Sequence, residues 1–219
     1  MKKLIIVLLG SVFILIACNE NKNSPSESGS QDTVQKSGDN VTATQTDTSA
    51  KSMMSSMMNH MDQMKNMKSM NDPDHDFAMM MKHHHLAANE MAEAELLHGH
   101  HTEVKSLARK MLNEQTKDIQ EFDNFLNSTP AENKSGNDKF HKEAMQMMND
   151  MPMNMSQTSS DIDEQFISMM IPHHEQAIHM TNMFLKNAKK PEMKTLANKI
   201  LKAQEKEIKD LKDLLAKSH

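Results

Sequence analysis

The chain has no tryptophan, no tyrosine and a single cysteine, and its formal net charge is −5 at pH 7. One cysteine excludes an intramolecular disulfide, and it excludes a thiolate metal site if that residue is consumed elsewhere. A mildly acidic protein lacks the basic footprint of a nucleic-acid binder. No phosphate-binding loop, dinucleotide fingerprint or nucleophile constellation is present, so nothing points to an enzyme. In place of aromatics and cysteine stand 25 methionines and 13 histidines, beside 7 phenylalanines. Methionine is a flexible filler of cores. Its placement in Ser- and Asn-rich polar stretches goes beyond what packing requires.

The N-terminal stretch reads as a secretory signal over residues 1–17: Lys2 and Lys3, an apolar run from Leu4 to Ile16, then Leu15-Ile16-Ala17-Cys18. The run is short of the roughly 20 residues that span a bilayer. The last four residues have the form of a bacterial lipobox, which predicts cleavage before Cys18 and lipidation of its thiol. Loss of Lys2 and Lys3 would take the charge from −5 to −7. The expected location is extracytoplasmic, on a bacterial membrane held through the lipid. Residues 18–51 are Ser, Thr, Asn, Asp and Gln with almost no large apolar side chain, the composition of a disordered tether.

Residues 52–72 are Met-rich, with Met54, Met57, Met58, Met61, Met64, Met67 and Met70 three or four apart around His60. Two readings stand side by side: a helix docking a Met stripe, or a run of M-x-x-M thioether pairs. The step of three from Met58 onward drifts around a helix of 3.6 residues per turn.

From Asp74 a repeat begins. Asp74–Leu126 aligns with Asp163–Leu215 without a gap at an offset of 89 residues, with about a third of positions identical. Each copy predicts two amphipathic helices: repeat 1 over residues 73–127 and repeat 2 over 161–219. The second helices carry stripes at i, i+3, i+4, i+7, through Val104, Leu107, Met111, Gln115, Ile119 and Phe122, and through Met193, Leu196, Ile200, Gln204, Ile208 and Leu211. Residues 128–160 form a Met-rich crossover with His141 and Met145, Met147, Met148, Met151, Met153 and Met155. The expectation is an all-α four-helix bundle of two duplicated hairpins. The long crossover permits parallel middle helices as in ferritin-like bundles, with an up-down-up-down order as the alternative.

The pattern Asp163, Phe166, Met170-Ile171-Pro172-His173-His174, Ala177, Met180, Pro191-Glu192, Leu196-Ala197, Gln204, Glu207-Ile208 resembles the signature of a bacterial family, domain of unknown function 305. Copy one departs at Lys82-His83 and Thr102. The resemblance implies a ferritin-like helical fold and extracytoplasmic copper binding and tolerance.

Without cysteine, a soft-metal site needs thioether and imidazole. Thioether selects Cu(I) or Ag(I), and imidazole takes Cu(I), Cu(II) or Zn. Residues four apart on a helix are neighbours, so Met80 lies under His84, Met81 under His85, Met169 under His173 and Met170 under His174. These eight, with Met91 and Met180, are the candidate ligands of copper, Cu(I) foremost, with silver as a second ion. The competing reading places His84 and His173 in the core, bonded to Gln115 and Gln204, and leaves His85 and His174 nearer the edge. Pro172 either shapes a site or fits the bundle. Glu95-x-x-His98 has di-iron spacing, but its counterpart in copy two is Asn187, and the second-helix stripes offer no Glu. The expected role is capture or relay of copper, with an export or acceptor protein as partner. An oxidase and an envelope structural or signalling module are the alternatives.

Overall fold

The computed structural model describes residues 40–150, 159 and 161–217, with side chains from residue 51, and every regular element among them is a helix. In order these are α1 (Asn40–Lys65), α2 (Pro73–His98), α3 (Thr102–Ser128), α4 (Lys139–Asp150), α5 (Ile162–Leu185) and α6 (Pro191–Leu215). The signal segment, Cys18, the N-terminal part of the tether, and Met151, Met153 and Met155 lie outside the described residues. Helices α2, α3, α5 and α6 are the two duplicated hairpins.

Their starts follow local chemistry. Asp72 and Asp161 are repeat-related N-caps, each accepting the backbone N–H two residues on, which meets one of the donors a helix leaves unpaired. Pro73 and Pro191 occupy first-turn positions where a missing N–H costs nothing. Helices α3 and α6 have no side-chain cap of their own. A carboxylate from the other repeat serves instead. Asp163 at the start of α5 accepts the N–H groups of His100 and His101, both at 2.9 Å. Asp74 at the start of α2 accepts those of Lys189 and Lys190, at 3.1 Å each.

These two clamps fix the topology. Helix α2 begins where α5 ends and α6 begins, and α5 begins where α2 ends and α3 begins. So α2 and α5 are antiparallel, while α3 and α5 run the same way. The crossover therefore travels the length of the bundle, which is the ferritin-like arrangement and not up-down-up-down.

The core divides into two apolar clusters. One gathers Phe77, Phe122, Phe140 and Phe184 with Met80, Met81 and Met180. Phe77 stacks on Phe184 at 4.0 Å and meets Phe122 and Phe140 edge-on; aromatic pairs add about 0.5–1.5 kcal/mol each beyond burial. Through Phe140, Ala144 and Met148 this cluster anchors α4, so the crossover contains a docked helix. The other cluster gathers Phe166, Ile162, Met91, Met111, Met169 and Met170.

Helix α1 begins at Asn40, inside the stretch expected to be tether. It docks a stripe of Met53, Met57, Met61 and Met64, all buried, whereas Met58 and Met70 are 45% and 41% exposed. The spacing of four, four and three is that of one helix face, and Met67, three residues further on, also packs against the core. Pro172 lies on the exposed side of α5, and the helix continues unbroken through it. The carbonyl it frees, four residues back, belongs to exposed Ser168.

Candidate metal centre

Between the two apolar clusters all four bundle helices turn polar at one level. On α2 the residues are His84 and His85, and on α5 His173 and His174. Helix α3 contributes Gln115 and Asp118, and α6 contributes Gln204 and Glu207. Each of these residues is at most 5% exposed. The offset of 89 pairs them: His84 with His173, His85 with His174, Gln115 with Gln204, Asp118 with Glu207.

The antiparallel pairing of α2 and α5 brings the two halves together. The rings of His84 and His173 lie face to face, centroids 3.7 Å apart and tilted by 35°. Their neighbours turn to the other side of each helix and meet carboxyl groups. His85 Nε2 is 3.6 Å from Asp118 Oδ2, and His174 Nε2 is 2.9 Å from Glu207 Oε2. Lys199 Nζ holds the second oxygen of Asp118 at 2.8 Å. No lysine or arginine pairs with Glu207 among the described residues.

Burial pushes the His84 and His173 imidazoles well below their ordinary pKa, and the neighbouring imidazoles push the same way. Both are neutral across physiological pH, the form that ligates metal. Both nitrogens of His84 and the Nδ1 atoms of His173, His85 and His174 meet no hydrogen-bond partner of good geometry. Orphaned buried polar atoms cost about 1–3 kcal/mol each, and a cation taking their lone pairs offsets that cost. A carboxyl group behind a histidine is also the usual support that orients a metal-binding imidazole. The donor set therefore fits copper or silver.

Three expectations change. Gln115 and Gln204 do not satisfy the central histidines: neither polar atom of Gln115, nor Oε1 of Gln204, has a partner. His85 and His174 are not near an edge, being 0% exposed. Each first helix is covered on two sides, by its own hairpin partner and by the other first helix, so adjacent histidines both point inward. The buried stripes run through Asp118 and Glu207, while Ile119 and Ile208 are only partly buried. The acids were visible as a repeat-matched pair on the same helix face as Gln115 and Gln204.

Met80, Met81, Met169 and Met170 stand on the buried face one turn before their histidines, at most 4% exposed. Met91 and Met180 are two turns beyond, about 10 Å along the axis, within the apolar clusters. Helix α1 adds a polar pair at the same level. His60 Nδ1 lies 3.5 Å from His83 Nδ1, and His60 Nε2 lies 3.1 Å from Glu90.

The sequence matches the model of the domain of unknown function DUF305 over residues 19–126 and 74–215. Among solved structures, the Cu(II)-bound form of CopM is 30% identical, with 67% of this chain and 97% of that one covered and a TM-score of 0.53. The Cu(I)-bound form gives 30%, 67%, 97% and 0.51. A DUF305 protein from Streptomyces coelicolor shares the fold at 22% identity, covering 68% and 95% with a TM-score of 0.54. An uncharacterised protein, L153, of Acanthamoeba polyphaga mimivirus is 38% identical over 53 residues, which is 24% of this chain and 35% of that protein.

Proposed function

The chain belongs to the DUF305 family, and on that premise we propose that it is an extracytoplasmic, lipid-anchored copper-binding protein. It sequesters or relays copper, with silver as a surrogate ion, and so contributes to copper tolerance. The observation that carries this reading is the buried layer of four duplicated imidazoles, two of them backed by Asp118 and Glu207. Neutral imidazole with flanking thioether suits Cu(I) and Ag(I), and imidazole with carboxylate suits Cu(II). CopM, 30% identical, has been solved with Cu(I), Cu(II) and silver.

Helix α1 supports the relay half of the proposal. Its Met53, Met57, Met61 and Met64 face the bundle beside α2 and α5, and His60 sits level with the imidazole layer. A thioether ladder beside a histidine site gives a soft ion successive weak ligands toward the core. The recipient or donor is an export or acceptor protein. A di-iron oxidase is less well supported, because such sites use four carboxylates and the layer holds two.

Titration of the full chain with Cu(I) against a competing chelator tests the proposal. The expected result is tight binding that weakens at least ten-fold in His84→Asn and again in His173→Asn. Micromolar or weaker binding, indifferent to both changes, would overturn it.

A further inference from the structure

The duplication supplies a control for the acidic groups at the two ends of the bundle. Both ends carry the same cap pair, Asp72 with Asp74 and Asp161 with Asp163, so those carboxylates have a structural reason to be there. Several repeat-related positions differ between the ends, and two of them bear on the caps. Where one end has Lys190 the other has His101, and where α5 has Phe184, α2 has Glu95.

Phe184 is a packing residue, stacked on Phe77. Glu95 is 0% exposed, and neither of its oxygens has a hydrogen-bond partner of good geometry. Its carboxyl head curls over the end of α2: a Cβ at Gly99 would fall 2.0 Å from Glu95 Oε1, so only glycine fits there. The head thus lies at the α2–α3 turn, against Asp163 and within electrostatic reach of Asp161. One ligand atom from each of His101, Asp161 and Asp163 lies within 4.8 Å of the other two. Asp161 commits Oδ1 to the N–H groups of Asp163 and Glu164, leaving Oδ2 free. Each Asp163 oxygen accepts one N–H and keeps a second lone pair. The exposed His101 and the two aspartates border a cleft of about 480 Å³, which gives an ion a way in.

We propose that this end of the bundle is a second, independent cation site, binding one divalent ion of borderline hardness such as Zn(II) through His101, Asp161 and Asp163, with Glu95 completing the donor set. One imidazole among carboxylates suits such an ion, and the absence of thioether disfavours Cu(I) and Ag(I). Eleven residues separate Glu95 from His84 on α2, about 16 Å along the helix, so the site does not share ligands with the imidazole layer. The opposite end has the same caps with Lys190 and Phe184 in the matching places, and among the described residues no group of three such ligands gathers there.

The test is titration of the full chain with Zn(II) alone, followed by calorimetry, on the wild type and on His101→Ala and Glu95→Gln. The first residue is exposed, and the second change keeps shape while removing the carboxylate that an ion would draw out; far-UV circular dichroism checks that both variants stay folded. The expected result is a zinc-binding component of the wild type weakened at least ten-fold in each variant. Zinc binding equal in all three proteins, or absent from the wild type, would overturn the proposal.

Discussion

Asp74 and Asp163 occupy equivalent places and make equivalent contacts, yet they should respond differently to substitution by asparagine. Burial raises the pKa of Asp163, but the N–H groups of His100 and His101, together with the Glu95 carboxyl and the His101 ring, hold it below its ordinary value of 3.8. For Asp74 burial wins, helped by Asp72, over the N–H groups of Lys190 and Lys189, and its pKa is raised. Hydrogen bonds to a charged group are worth about 1.5–3 kcal/mol and neutral ones about 0.5–1.5. Asp163→Asn exchanges two of the former for one of the latter, a loss of about 2–4 kcal/mol at pH 7. Asp74→Asn removes a charge that burial already penalises, and should cost at most about 1 kcal/mol. In urea denaturation of the full chain, with a slope near 2 kcal/mol/M, the midpoint should fall by about 1–2 M for the first and by under about 0.5 M for the second. The pH dependence has a sign. The contribution of Asp163 is present above its unfolded pKa near 3.8 and is lost as pH falls through the lower folded value. That of Asp74 is full below 3.8 and is lost as pH rises through its raised folded value. The gap between the two variants should therefore close in acid. Equal losses at pH 7, or an Asp163→Asn midpoint indistinguishable from wild type, would refute the reasoning.

Burial, with Asp163 second, pushes Glu95 up to about 9 from 4.5. The metal-free chain should therefore lose stability as pH rises across that interval, at up to about 1.4 kcal/mol per unit, and Glu95→Gln should flatten the slope measured in urea between pH 6 and 8.5. Asp118→Asn and Glu207→Gln should each weaken Cu(I) binding by about 10–100-fold through loss of support to His85 and His174, read in the same chelator competition as above. Phe77→Ala should cost about 3–5 kcal/mol in chemical denaturation, since it removes the ring on which Phe122, Phe140 and Phe184 converge. Met53→Ala should speed amide hydrogen exchange in α1 while leaving α3 and α6 protected, because Met53 anchors α1 to the bundle edge.

The duplicated hairpins, their Pro191 start and the paired histidines were legible because each rests on local chemistry written twice, and a match at one offset separates signal from accident. Helix α1 was harder to read. Its N-terminal portion is Thr-, Ser- and Asp-rich, and only the docking of Met53 and Met57 downstream favours its helix over coil. The same tertiary effect hid α4, whose order depends on Phe140 entering a cluster built by the other five helices. Asp118 and Glu207 were missed because an amphipathic stripe assigns the inward place to the nearest apolar residue, here Ile119 and Ile208. The true facing is set by where the second hairpin packs, which periodicity along one helix does not report. Asp163 stood in the family pattern, but its task, binding amides 62 and 63 residues back in sequence, depends on how the two hairpins meet.

That reciprocal arrangement of Asp74 and Asp163 has a bearing on ancestry. Each hairpin carries the carboxylate that the other one needs and lacks the one it needs itself. A one-repeat forebear would have met that requirement by pairing with a second copy of itself about a two-fold axis, His84-type rings facing across it. Joined in one chain, the halves are free to differ: Phe184 is a core ring where its counterpart is Glu95, and Lys190 carries an ammonium where its counterpart is His101. A homodimer binds the same ion at both ends or at neither; a fused pair can specialise one end and leave the other as plain scaffold.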